Sequence, residues 1–163
     1  MDSSNSSLPK VISSKSPREV LLDETGKQYP LVGGWGYDIN DSVDIQIDIE
    51  SEGVNFEYWF INFRANKELN GIMGTNIRFG AIQCLNVKQS LRTIKGCQYD
   101  VLNYIVKALP IEFANEFDVE WKEHNGYKDD PKGLEDFHNR VEEKAVGYQT
   151  ECWFNISNFL GKR

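Results

Sequence analysis

The chain is poor in the side chains on which most small catalytic or metal-binding domains rely. Two histidines, His124 and His138, and three cysteines, Cys84, Cys97 and Cys152, are spread over 163 residues. An odd number of widely spaced cysteines with no Cys-x-x-Cys pair excludes a zinc knuckle and a disulfide framework. It leaves buried thiols that pack as small hydrophobes. The histidine spacing matches no zinc motif. No run approaches the roughly 18 apolar residues of a membrane span, and the opening MDSSNSSLPK lacks the apolar core of a secretion signal. A cytoplasmic protein that does not enter membranes is expected.

Positive charge is also scarce. Lys and Arg number 18 against 25 Asp and Glu, for a net charge of -7 and an isoelectric point near 4.9. Broad contact with a nucleic-acid backbone is therefore disfavoured, and a basic or neutral partner fits better. The one basic patch, Lys88, Arg92 and Lys95, reads as a solvated loop or helix face.

Nucleotide, calcium and nucleophile motifs are missing too. Gly33, Gly34 and Gly36 do not have the spacing of a phosphate cradle, and they lead into Tyr37, Asp38 and a strand-like run instead of a helix. They mark a bulge or a close approach of another backbone. Asp38 to Asp44 alternates oxygen side chains like a calcium loop, but Val43 and Ile49 occupy its two diagnostic positions, so Asp38–Ser42 reads as a turn or helical start that feeds the Val43 strand. No G-x-S-x-G occurs. No catalytic residue, metal or cofactor is assigned.

What the chain does have is pattern. Residues 1–17, serine-rich with Pro9 and Pro17, read as a flexible lead-in that ends in a short edge strand near Val11 and Ile12. Residues 18–163 read as a single domain. Val43–Phe63 reads as a hairpin around Gly53, with Val43, Ile45, Ile47 and Ile49 on one face and Asp44, Gln46, Asp48 and Glu50 on the other. Short strands are expected over Arg18–Asp23, Thr75–Val87, Val119–Trp121 and Thr150–Ile156, and a short helix over Arg64–Leu69. Longer helices are expected over Gln98–Leu109, stopped by Pro110, and from Asp130-Pro131 to Lys144. The sum is an α+β domain with a mainly antiparallel, twisted sheet of five to seven strands and two or three helices on it.

For function, the pattern points first to a binding surface. Asp44, Asp48, Glu50 and Glu52 would form a carboxylate ridge complementary to Lys and Arg of a partner, with Trp35 and Trp59 as aromatic anchors. An acid/base or metal role for His124 or His138 beside their neighbouring acids is a second reading. A small-ligand pocket near Trp35 and Trp59 is a third. The GGWGYD segment leading into an acidic hairpin, and the closing strand CWFNIS, resemble immunity proteins of bacterial polymorphic toxin systems, including contact-dependent growth inhibition. The resemblance implies a cytoplasmic α+β protein, not an enzyme, that binds one cognate toxin domain, often a basic nuclease, and blocks it. It assigns no individual contact residue.

Overall fold

Ser16-Pro17-Arg18-Glu19 starts the first element. The Ser16 hydroxyl accepts the Glu19 N–H at 3.3 Å, the Glu19 carboxylate accepts the Ser16 N–H at 2.8 Å, and Pro17 opens the helix. This reciprocal cap makes Pro17–Thr25 a helix, α1, in place of the strand expected over Arg18–Asp23. Gly26, at φ 69°, closes it in the left-handed conformation. These coordinates are a computed structural model, which describes residues 8–72 and 78–162. Val11 and Ile12 lie outside any strand, but Val11 packs against the core and its N–H donates to the Tyr37 hydroxyl at 2.7 Å.

The glycine cluster is a close approach, as its spacing suggests. Strand β1, Leu31–Gly33, pairs antiparallel with β2, Val43–Ile45. Between them the chain folds onto a 3-10 turn at Ile39–Asp41 that is capped by the Asp38 carboxylate. A Cβ on Gly34 would lie 1.8 Å from the Asp41 carboxylate, and one on Gly36 would lie 2.5 Å from the Cys152 sulfur. Gly36 also has a φ of 84°, so both space and conformation exclude a side chain there.

The hairpin expected over Val43–Phe63 does not form. The strand ends at Ile45, and Glu50–Ile72 is a 23-residue helix, α2, about 35 Å long at 1.5 Å per residue. Its buried side is Gly53, Glu57, Phe60, Ile61, Arg64, Ala65, Glu68 and Leu69, which is helical spacing throughout. Three of these positions are charged, so the apolar residues alone do not display the period. The alternation of Val54, Phe56, Tyr58 and Phe60 imitates a strand. Gly53, expected as a turn, sits inside the helix against the Phe159 ring, 2.6 Å from where a Cβ would stand. The short helix expected at Arg64–Leu69 is part of α2.

Beyond α2, Phe79–Ile94 (β3) and Cys97–Pro110 (β4) form one long antiparallel hairpin. Lys95 and Gly96 both have positive φ, 51° and 81°, which is the type I′ geometry that matches strand twist. The helix expected over Gln98–Leu109 is therefore a strand, and the basic stretch Lys88–Lys95 is strand and turn. Paired apolar residues, Val101-Leu102 and Ile105-Val106, satisfy helical spacing equally well. The β-branched and aromatic content of the segment decides for the strand, whose buried face is Leu102, Tyr104, Val106 and Ala108. The pairing register shifts between Gly80 and Gln83, with Ala81 at φ 47°, where the sequence suggests a bulge at Gly80. The start of the expected Thr75 strand lies outside the described residues.

Ile111–Glu123 is helix α3, so the strand expected at Val119–Trp121 is replaced by helix. The reading of α4, Pro131–Lys144, is met at both ends, with the Asp130 carboxylate accepting the Gly133 N–H at 2.9 Å. Phe117, Trp121, Tyr127 and Phe137 pack these helices together in an aromatic cluster. The last strand, β5, is Val146–Asn155, and Thr150, Cys152 and Phe154 alternate inward. The sheet order is β1-β2-β5-β4-β3, with only β2 and β5 parallel. Leu102, Tyr104, Val106 and Ala108 of β4 and Cys152 and Phe154 of β5 share one core with Phe60, Ile61, Ala65 and Leu69 of α2. The fold is an α+β domain built on a mainly antiparallel sheet.

Candidate functional site

The expected carboxylate ridge is divided among three places. Asp44 sits on β2 between the buried Val43 and Ile45, so it points away from the core, and burial pushes its carboxyl above the ordinary range. Asp48 is exposed in the link to α2, and Glu50 and Glu52 occupy the first turn of α2, where negative charge suits the helix dipole. Trp35 is buried at 6 % exposure. Its ring stacks on Phe63 at 5.7 Å and its indole N–H donates to the Lys15 carbonyl at 3.1 Å. It is a core residue.

Trp59 differs. It is 38 % exposed on the outer side of α2, stacked on Tyr29 at 5.1 Å and 6° and on Phe63 at 5.6 Å and 1°. Glu52 lies seven residues earlier, two turns away on the same side of the helix. Helical geometry thus puts Glu52 and Trp59 on one side of α2, though the sequence pattern placed Glu52 in the hairpin turn and Trp59 on the second strand.

Inside, α2 carries a polar stripe that sequence reasoning missed. Arg64 is fully buried, and its guanidinium donates to the Trp35 carbonyl (3.0 Å), the Tyr104 hydroxyl (2.7 Å) and the Glu151 carbonyl (2.7 Å). Its Nε lies 3.2 Å from a Glu68 oxygen, close enough to pair in charge but without hydrogen-bond alignment. Glu68 accepts from the hydroxyls of Tyr37 and Tyr148. Burial pushes the Glu68 carboxyl up, and Arg64 and the two tyrosines pull it back. This network ties α2 to β4, to β5 and to the segment around Tyr37. Every strong charge in it has a partner, which is the signature of a structural ion pair.

Two turns before Arg64 on the same helix the accounting does not close. Glu57 is fully buried, with neither carboxylate oxygen hydrogen-bonded, and Asp100 on β4 is 4 % exposed with Oδ1 likewise unpartnered. The exposed Gln89 amide donates to the other Asp100 oxygen. Burial first, and then the Asp100 charge, push Glu57 up to about 9, so it holds a proton at neutral pH. Burial raises Asp100 as well, opposed by Gln89 and by the Glu57 proton. As two carboxylates the pair would face each other as acceptors only, and a shared proton supplies the single donor. Above them opens a cavity of about 400 Å³, walled by Val54, Leu91, Ile156, Phe159 and Leu160, with Glu50 at its rim. Of the residues expected to meet a partner, Glu50 is the one that lines this cavity. The signal that points to the pair is the helical phase of α2: once Phe60 and Ile61 face inward, Glu57 must as well.

His124 ends α3 and stacks on Tyr127 at 4.7 Å, and His138 is exposed on α4. Among the described residues, no group of three or more His, Cys, Asp or Glu is arranged to hold a metal ion. Among them, too, no helix is long and apolar enough to cross a membrane. No family model, curated protein or solved structure matches the chain.

Proposed function

We propose that the protein is an inhibitor of the immunity type, which binds one cognate bacterial toxin domain non-covalently and neutralises it. The observation that carries this reading is Trp59. A large aromatic side chain stands in solvent but is already immobilised between Tyr29 and Phe63, so a partner that covers it loses little further conformational freedom. Glu52 on the same side of α2, the exposed Asp48 in the link before the helix and the net charge of -7 favour a cationic partner surface. Basic nucleases present such surfaces.

The test begins with a toxin domain that is active by itself and silenced by one equivalent of this protein. Trp59→Ala is then expected to raise the dissociation rate at least about tenfold, and Glu52→Lys to slow association at low salt more than at high salt. Circular dichroism of both variants checks that the fold is kept. Unchanged rates in both would remove this side of α2 from the interface. Failure of any toxin domain to be silenced would end the reading.

A further inference from the structure

The cavity above Glu57 and Asp100 is built from two kinds of surface. Val54, Leu91, Ile156, Phe159 and Leu160 make apolar walls, and Leu91 and Leu160 remain 61 % and 36 % exposed at its mouth. The floor is a pair of buried carboxyls that leave three oxygens, Glu57 Oε1 and Oε2 and Asp100 Oδ1, with no donor. One shared proton satisfies two of them and leaves one open. Taking such groups out of water is costly unless something compensates. At the Arg64–Glu68 network every charge is compensated from within the chain; here the compensation is missing.

We propose that this cavity is a binding site for an alkyl ammonium group, with the methylene chain against the apolar walls and the ammonium on the Glu57–Asp100 floor. With the shared proton bound, an ammonium donates to the one oxygen left open and, once Gln89 turns aside, to the second Asp100 oxygen, and its positive charge meets the negative charge that the pair retains. Among the described residues no group of three or more His, Cys, Asp or Glu is arranged to hold a metal ion, so the floor is a poor metal site. A planar guanidinium is larger than the ammonium and prefers both oxygens of one carboxylate. Gln89 is the side chain that must turn aside: it is exposed, and its amide is the donor that Asp100 now holds. The ionisable groups facing the site are Glu50 and Glu57 from α2 and Asp100 from β4; β3 contributes Gln89 and Leu91, and the closing turn contributes only apolar side chains. Loss of the shared proton at higher pH adds negative charge to the floor, so binding tightens between pH 6 and pH 8.5.

The site is independent of the toxin reading, and its source of ammonium is either a free alkylamine or a lysine side chain. The test uses the full chain, nitrogen-15 labelled, titrated with n-butylamine, with n-butanol as the neutral isostere, and with a short lysine peptide and its acetyl-lysine counterpart. The expected result is saturable shifts at Glu57, Gln89, Leu91 and Asp100 with n-butylamine but not with n-butanol. Glu57→Gln combined with Asp100→Asn should weaken that binding at least about tenfold. Leu91→Lys, at an exposed rim position that the fold tolerates, should block it by tethering an ammonium over the floor. A lysine peptide that binds more tightly than the free amine, with its acetylated form inactive, assigns the source to a protein, and the reverse order assigns it to a small amine. Equal responses to amine and alcohol, or Leu91→Lys leaving amine binding intact, would overturn the proposal.

Discussion

Glu57→Gln isolates the buried carboxyl pair with almost no change of shape. In the folded chain Glu57 is held near 9, whereas the ordinary carboxyl value is 4.5, so between those two pH values the native state binds a proton that the unfolded state has released. Stability then falls as pH rises, and that contribution is present in full only below the ordinary value. The slope is about 1.4 kcal/mol per pH unit, which makes the wild type about 3 kcal/mol worse off at pH 7 than at pH 4.5 from this group alone. Glutamine cannot ionise, and its amide donates to Asp100 at every pH. The variant is therefore expected to gain on the wild type steadily from pH 5 to pH 8.5, whatever constant offset its burial adds. Urea unfolding followed by tryptophan fluorescence at half-unit pH intervals reads the difference, provided the denaturant slopes of the two proteins agree. A difference that stays flat across that window would mean that Glu57 is ionised in the fold, and the shared-proton account would fail.

Arg64→Ala should destabilise by about 3–5 kcal/mol in the same assay, since it strands the Glu68 charge beneath α2. Arg64→Lys should recover only part of this, because a single ammonium cannot reach Trp35, Tyr104 and Glu151 together. Gly53→Ala should destabilise by about 1–3 kcal/mol through the Phe159 ring, although alanine in an open helix gains about 1 kcal/mol over glycine. A more stable variant would refute that contact. Burial pushes the thiols of Cys84 and Cys152 up to about 12. Both should resist iodoacetamide at pH 8 in the native protein and react once guanidinium unfolds it, as peptide mass mapping would show.

What could be read from the sequence follows the rule that local signals are legible and long-range satisfaction is not. Asp130-Pro131 carries its own cap and helix start, and Thr150 to Phe154 alternates because one face of β5 is core, so both elements are met as expected. Ser16-Pro17-Arg18-Glu19 was equally local, and a capping box outweighs the few apolar residues that suggested a strand there. For Glu50–Ile72 and Cys97–Pro110 the assignments exchange, because in both the period of burial is masked. A helix that buries Glu57, Arg64 and Glu68 hides its period, because those charges acquire partners from Trp35, Tyr37, Tyr104, Tyr148 and Glu151 and face Asp100, residues 29 to 87 positions away in the chain. In β4 the buried Leu102, Tyr104, Val106 and Ala108 do alternate with the partly buried Asn103, Ile105 and Lys107, but the adjacent apolar pairs Val101-Leu102 and Ile105-Val106 fit helical spacing as well and mask that alternation. The features that made the chain hard to parse are thus the ones that organise it: charge placed on an inward helical face is tolerable where a network closes around it, as at Arg64, and calls for an external donor where none does, as at Glu57.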